Sequence, residues 1–151
     1  MEEKAFPEEL ADALVGVQRL LRRRLRAGLT VPRLRGAEVE LLRLVETRPG
    51  VGVSDAAKEL YLAGNSVSTL VNRLVRDGHL LRETDPADRR AARLQLTEAA
   101  EVRLRAWRER RSALVERHVA RLDAADRAAL RAALPALRAL AVDLHEEAED
   151  S

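Results

Sequence analysis

The chain has no cysteine, one methionine, two lysines and three aromatic residues (Phe6, Tyr61 and Trp107) among 151 residues. Each shortage excludes something. Without cysteine there is no disulfide framework, no thiolate zinc or iron–sulfur site, no cysteine nucleophile and no thiol-oxidation switch. The single methionine is Met1, so a methionine-based redox sensor is excluded too. No stretch approaches about 18 uncharged apolar residues, and no membrane span is expected. The opening MEEKAFPEEL carries acids and no apolar segment, so no secretory leader is expected and a cytoplasmic location is. The sequence holds no Gly-rich phosphate loop, no local Ser–His–Asp grouping and no paired carboxylates in an apolar setting. An enzyme is therefore not expected. His79, His118 and His145 fall on three separate elements, not at ligand spacing, so neither a metal nor a cofactor is expected.

What is abundant is helix-forming. Leu and Ala contribute 26 residues each, and 25 of the 27 basic residues are Arg. Charges nearly cancel, to a net +2, but they are unevenly placed. Seven Arg and no acid lie between Arg19 and Arg35, while residues 143–151 hold five acids and no Lys or Arg. The basic run reads equally as a solvated helix face or as a phosphate-contacting or dimer-facing one. The acidic end reads as a frayed tail.

Apolar spacing predicts a helix over 7–27, with Pro7 in its first turn and a stop at Gly28 and Pro32. A second helix is predicted over 36–47, ended by Arg48-Pro49-Gly50. Val51–Val53 reads as a strand of one or two pairs. Ser54 is a candidate N-cap for a third helix. A fourth runs from Asn65 to Arg76 and closes at Asp77-Gly78. The period then changes to two. His79–Thr84 and Arg93–Thr97 flank the polar turn Asp85–Arg90, which predicts a β-hairpin with an Arg tip. A helix follows from Thr97. A last one starts after Asp123 and carries Leu130, Leu134, Leu137 and Leu144 as a seam for another helix. Pro135 is expected to kink that helix or delete one bond.

Two helices, a short turn and a basic hairpin describe a winged helix-turn-helix. The second helix of such a pair suits a major groove, and an Arg-tipped wing suits the minor groove. Its polar face alone is more often the mark of a solvated surface helix. The Arg-tipped hairpin directly after it favours nucleic acid. The long apolar stripes of the terminal helices suggest burial against a second copy.

These segments, together with Ser54–Leu60, Asn65–Leu80, the Asp85-Pro86-Ala87-Asp88-Arg89-Arg90 turn and Leu94-Gln95-Leu96-Thr97-Glu98, resemble the MarR family of bacterial transcription regulators. The turn followed by LxLT is the most specific part. The resemblance implies a mainly α winged-helix fold, α+β in detail. It has about six helices, a small β-hairpin wing, and terminal helices forming a dimerisation domain. It implies an N-terminal dimerisation helix over 1–35, a DNA-binding domain over 36–97, C-terminal dimerisation helices over 98–147 and an acidic tail over 148–151. It further implies a homodimer on a pseudo-palindromic double-stranded operator, acting as a repressor released by a small anionic or aromatic effector.

Residue by residue, Asn65, Ser66, Ser68, Thr69, Asn72, Arg73 and Arg76 match the DNA-facing positions of the recognition helix. Arg90 matches the minor-groove arginine, with Asp88 orienting it and Arg89 contacting phosphate or pairing within the wing. Leu10, Leu14, Val17, Leu130, Leu134, Leu137 and Leu144 match the dimer seam. Trp107 and Arg19 are candidates for an effector crevice, although a lone Trp also reads as interface packing. Three departures stand out. Asn72 replaces a frequent acid, so a wing-to-helix ion pair there is absent or becomes a hydrogen bond. LTEAAE lacks the usual glycine. Pro135 interrupts the last helix. The competing reading is a winged-helix module that binds a protein and not specific DNA.

Overall fold

A computed structural model describes residues 2–27 and 34–149. Among them the order is α1 (Glu2–Arg26), α2 (Gly36–Thr47), α3 (Val53–Glu59), α4 (Gly64–Arg76), β1 (Leu80–Thr84), β2 (Ala92–Leu96), α5 (Glu98–Val119) and α6 (Ala124–Glu149). This is the mainly α, winged-helix architecture that the sequence pattern implies. The expected stop at Gly28 and Pro32 lies outside the described residues, as do positions 150 and 151 of the acidic tail.

Boundaries follow local chemistry where the chemistry is local. α2 occupies the expected span, and Arg48 leaves helical geometry before Pro49. The α4 end is closed by Gly78 at φ +81, a left-handed conformation that glycine adopts without cost. A tertiary contact sets the α3 start instead. Gly52 bridges Arg93 of β2 and serves as the N-cap, so Ser54 lies inside the helix and does not cap it. α1 begins at Glu2, which places Pro7 inside the helix and not in its first turn. α6 runs unbroken through Pro135 to Glu149, so the expected fraying from residue 143 does not occur.

β1 and β2 pair antiparallel, with Leu80 opposite Leu96, Arg82 opposite Leu94 and Glu83 opposite Arg93. Gly50 donates to Leu94 O and Leu94 donates back to Val51 O, so the loop after α2 forms a minimal third strand. Thr97 closes the hairpin base: its hydroxyl donates to Gly78 O at 2.7 Å and accepts from Ala100 N at the start of α5. That junction therefore holds without the missing glycine.

The main core cluster lies in the central part. Leu41, Leu42 and Val45 of α2, Val67, Val71 and Leu74 of α4, and Leu80 and Leu94 of the hairpin are fully buried. α5 contributes Ala100 and Leu104. The terminal helices stay largely uncovered. Leu14, Val17, Leu130, Leu134 and Leu144 are exposed, and only Leu10 and Leu137 of the expected seam are half-buried. The protomer presents 11558 Å² to solvent. A compact monomer of this mass would present about 7,700 Å².

Candidate nucleic-acid interface

The α4 sequence places four residues inward and a polar set outward. Val67, Leu70, Val71 and Leu74 recur at helical spacing and hold α4 on the core. On the opposite arc stand Asn65, Ser68, Thr69, Asn72 and Arg76, all exposed, with Ser66 exposed at the edge of that arc. Thr69 returns its hydroxyl to Asn65 O at 2.9 Å. Asn72 Oδ1 accepts a 2.5 Å bond from Arg82 Nη2 of β1. The frequent wing-to-helix ion pair is thus replaced by a hydrogen bond, as Asn72 predicts.

Arg73 is paired within the fold. Its Nη1 meets Glu38 Oε1 of α2 at 3.0 Å, and its side chain is only 33% exposed. Seven residues from Ser66, it lies on the flank of α4, between the polar arc and the core. There a buried carboxylate draws it inward.

The wing tip is built by its aspartates. Asp85 Oδ1 accepts Ala87 N at 2.9 Å and Arg93 Nη2 at 3.2 Å. Those bonds hold the Asp85 carboxyl below the ordinary carboxylate range. Asp88 Oδ1 accepts Arg90 N at 2.9 Å. Asp88 therefore shapes the backbone beneath Arg90 and does not steer its guanidinium. Arg89 and Arg90 are exposed, and among the described residues neither pairs with an acid. The pairing within the wing expected of Arg89 is made by Arg93.

A second cluster lies on the α2–α5 seam. Trp107 is stacked between Arg43 at 4.5 Å and Arg111 at 4.8 Å from its ring centre. Burial, then Arg111 and Arg108, push the Arg43 pKa down. Among the described residues Arg43 Nη2 is buried without a hydrogen-bond partner. Arg19, the cation expected beside Trp107, lies exposed on α1 instead. Nothing in residue spacing announces this stack, because α2 and α5 lie about sixty residues apart. Arg108 pairs with Glu46 at 2.6 Å on the same seam. Beside it, Leu21, Val115 and Val119 line an open apolar cavity of about 590 Å³ between α1 and α5.

His79 sits where the hairpin leaves α4. Arg103 Nη1 lies 3.4 Å from its Nε2, and its Nδ1 is buried without a partner. Burial first, then Arg103, hold its pKa below the ordinary 6.5. The unfolded chain thus binds more protons as pH falls through 6.5, and stability rises with pH in that window. Urea midpoints are expected to fall between about pH 7.5 and 5.5, and less so in His79→Gln. Identical pH slopes in both proteins would contradict this account.

At its far end α6 returns to the helix-turn-helix. Tyr61, at φ +53, donates its hydroxyl to His145 O at 2.8 Å. His145 Nε2 lies 3.6 Å from Glu59, which also meets Arg48 at 3.6 Å.

The family model described as MarR matches residues 27–91, the segment that contains α2 through the wing tip. Over this segment the chain is similar to the MarR family. Solved MarR-like structures extend the likeness to the terminal helices. FabT of Streptococcus pneumoniae, solved in complex with DNA, is 25% identical over 94% of this chain and 99% of its own, with a TM-score of 0.72. A MarR family protein from Bacillus stearothermophilus is 21% identical over 94% and 99%, with a TM-score of 0.77. A transcriptional regulator from Thermotoga maritima is 27% identical over 91% and 94%, with a TM-score of 0.67. No curated protein matches the chain. Among the described residues, no helix is long and apolar enough to cross a membrane, and no group of acids and histidines is placed to hold a metal.

Proposed function

We propose that the protein is a dimeric, sequence-specific DNA-binding transcription repressor. The observation that carries this reading is the pair of unpaired, exposed arginines at the wing tip beside an exposed polar arc on α4. Both surfaces are rigidly mounted on one core. The polar arc of α4 enters the major groove through Asn65, Ser66, Ser68, Thr69, Asn72 and Arg76. Arg90 reads the minor groove, where the negative potential is strongest, and Arg89 contacts phosphate. A second copy covers the apolar faces of α1 and α6, which explains the excess surface of one protomer. The DNA held by the FabT structure supports this assignment.

Release by an effector belongs to the same reading. The Arg43–Trp107–Arg111 stack, with its partnerless buried nitrogen, fits a small aromatic anion: the ring lies near the indole and the charge meets Arg43.

One mobility-shift series tests both parts. Duplexes selected from random DNA are expected to bind, with log K falling by about 0.9 per log salt for each phosphate neutralised. Arg89→Ala/Arg90→Ala should weaken binding roughly tenfold or more, since a well-placed base contact contributes about 1–3 kcal/mol. A simple aromatic carboxylate such as salicylate should release the DNA from the wild type and not from Arg43→Ala. Salt-independent binding, or full affinity without the wing arginines, would favour a protein-binding module instead. Release from both proteins alike would remove the stack from the effector site.

A further inference from the structure

Glu38 is the one charged residue of the described chain that is buried, at 4% exposed. A charge there costs free energy unless it is paired and hydrogen-bonded. Both its oxygens are committed. Oε2 accepts Arg35 N at 2.7 Å, at the first turn of α2, and Oε1 accepts Arg73 Nη1 at 3.0 Å. The field of Glu38 also reaches Arg103 on α5. A buried ion pair is weak evidence for stability, since apolar residues of similar volume commonly do as well. The pair therefore invites a reason beyond holding the fold.

The position of Arg73 supplies one. It stands on the flank of α4, next to Thr69 and Arg76 of the exposed arc, with a side chain still one-third exposed. An unrestrained arginine at such an edge would reach the nearest phosphate. Phosphate contacts raise affinity for every sequence alike and carry no sequence information.

We propose that Glu38 limits the sequence-independent affinity of the protein for DNA by withholding Arg73 from the DNA backbone. The pair fixes α4 against α2 and removes one sequence-blind cation from the interface. Arg76 and the wing arginines supply the charge that is needed. The inference rests on the DNA-binding reading above.

The test compares wild type, Glu38→Gln and Glu38→Gln/Arg73→Gln. Each is titrated on a selected duplex and on a scrambled duplex of the same length, across a range of salt. Glu38→Gln frees Arg73. Its binding to scrambled DNA is expected to tighten severalfold at low salt, and the salt slope to steepen by about 0.9 per protomer. Binding to the selected duplex should tighten by the same factor, because a phosphate contact favours every sequence alike. The double variant should return the slope to the wild-type value. Unchanged slope and unchanged scrambled affinity in Glu38→Gln overturn the proposal, as does an equal loss on both duplexes.

A second measurement needs no variant to fold. In the wild type, the guanidinium nitrogen resonances of Arg73 are followed as DNA is added. Resonances that hold their positions support retention by Glu38, and a shift to a phosphate-bound position overturns it. Failure of the wild type to bind either duplex overturns the DNA-binding reading itself, a distinct result.

Discussion

Glutamate at Leu130 and Leu134 together is expected to make the protein monomeric and to reduce its affinity for a selected duplex by about 10²–10⁴. The two leucines project from α6 at 50% and 45% exposure, and neither belongs to the core cluster. Charging them therefore leaves the protomer's own packing intact. In the proposed dimer the same positions lie in an apolar seam, where two unpaired carboxylates per chain are costly. Separated protomers hold one recognition helix and one wing each. The second half-site is then no longer presented at the high effective concentration that linkage supplies. Sedimentation velocity reads the mass, fluorescence anisotropy reads the affinity, and circular dichroism shows whether the helices persist. A doubly substituted protein that still sediments as a dimer would place the interface elsewhere.

Leu74→Ala is expected to lower stability by about 2–5 kcal/mol, a loss of roughly thirtyfold or more in the folded-to-unfolded ratio. Leu74 is fully buried and is the inward anchor of α4 near its C-terminal end. It belongs to the same cluster as Leu41, Leu42, Leu80 and Leu94, so the cavity left by truncation is walled by three elements and relaxes little. Leu81→Ala is the matching control. Leu81 is 50% exposed on β1, and its truncation should change stability by less than about 0.5 kcal/mol. Urea titrations with equal slopes would show the midpoint falling for the first and holding for the second. Equal midpoints for both would contradict the core described here.

Much of this arrangement is legible in the sequence because it is locally encoded. Pro49 and Gly50 end α2, and Asp77-Gly78 ends α4, through backbone preferences that need no partner. The alternation of Leu94 and Leu96 with Arg93 and Gln95 reveals β2, and the Asp85–Arg90 run reveals its turn. The misplaced features depend on distant chain. Ser54 looks like a cap, but Gly52 is already fixed by its bridge to Arg93, and the helix starts one residue earlier than Ser54. Arg73 looks like a DNA contact on its helix face. Its partner within the fold, Glu38, lies thirty-five residues upstream on another element. The stacking of Trp107 by Arg43 is invisible for the same reason, and so is the grip of Tyr61 on His145. The apolar stripes of α1 and α6 were readable as stripes, but their cover is absent from a single protomer.

The contact between Tyr61 and His145 has a mechanical consequence. At 1.5 Å per residue, the 26 residues of α6 make a rod about 39 Å long. A swing of about 5° at one end of such a rod moves the other end by about 3.4 Å, the rise of one base pair. In the proposed dimer, a lever hinged only at its junction with α5 would blur the separation between the two recognition helices by that amount. Pinning its free end to the turn between α3 and α4 makes a closed truss of the chain, and in the proposed dimer the gauge between successive grooves is then set by the length of a helix and not by the stiffness of a joint.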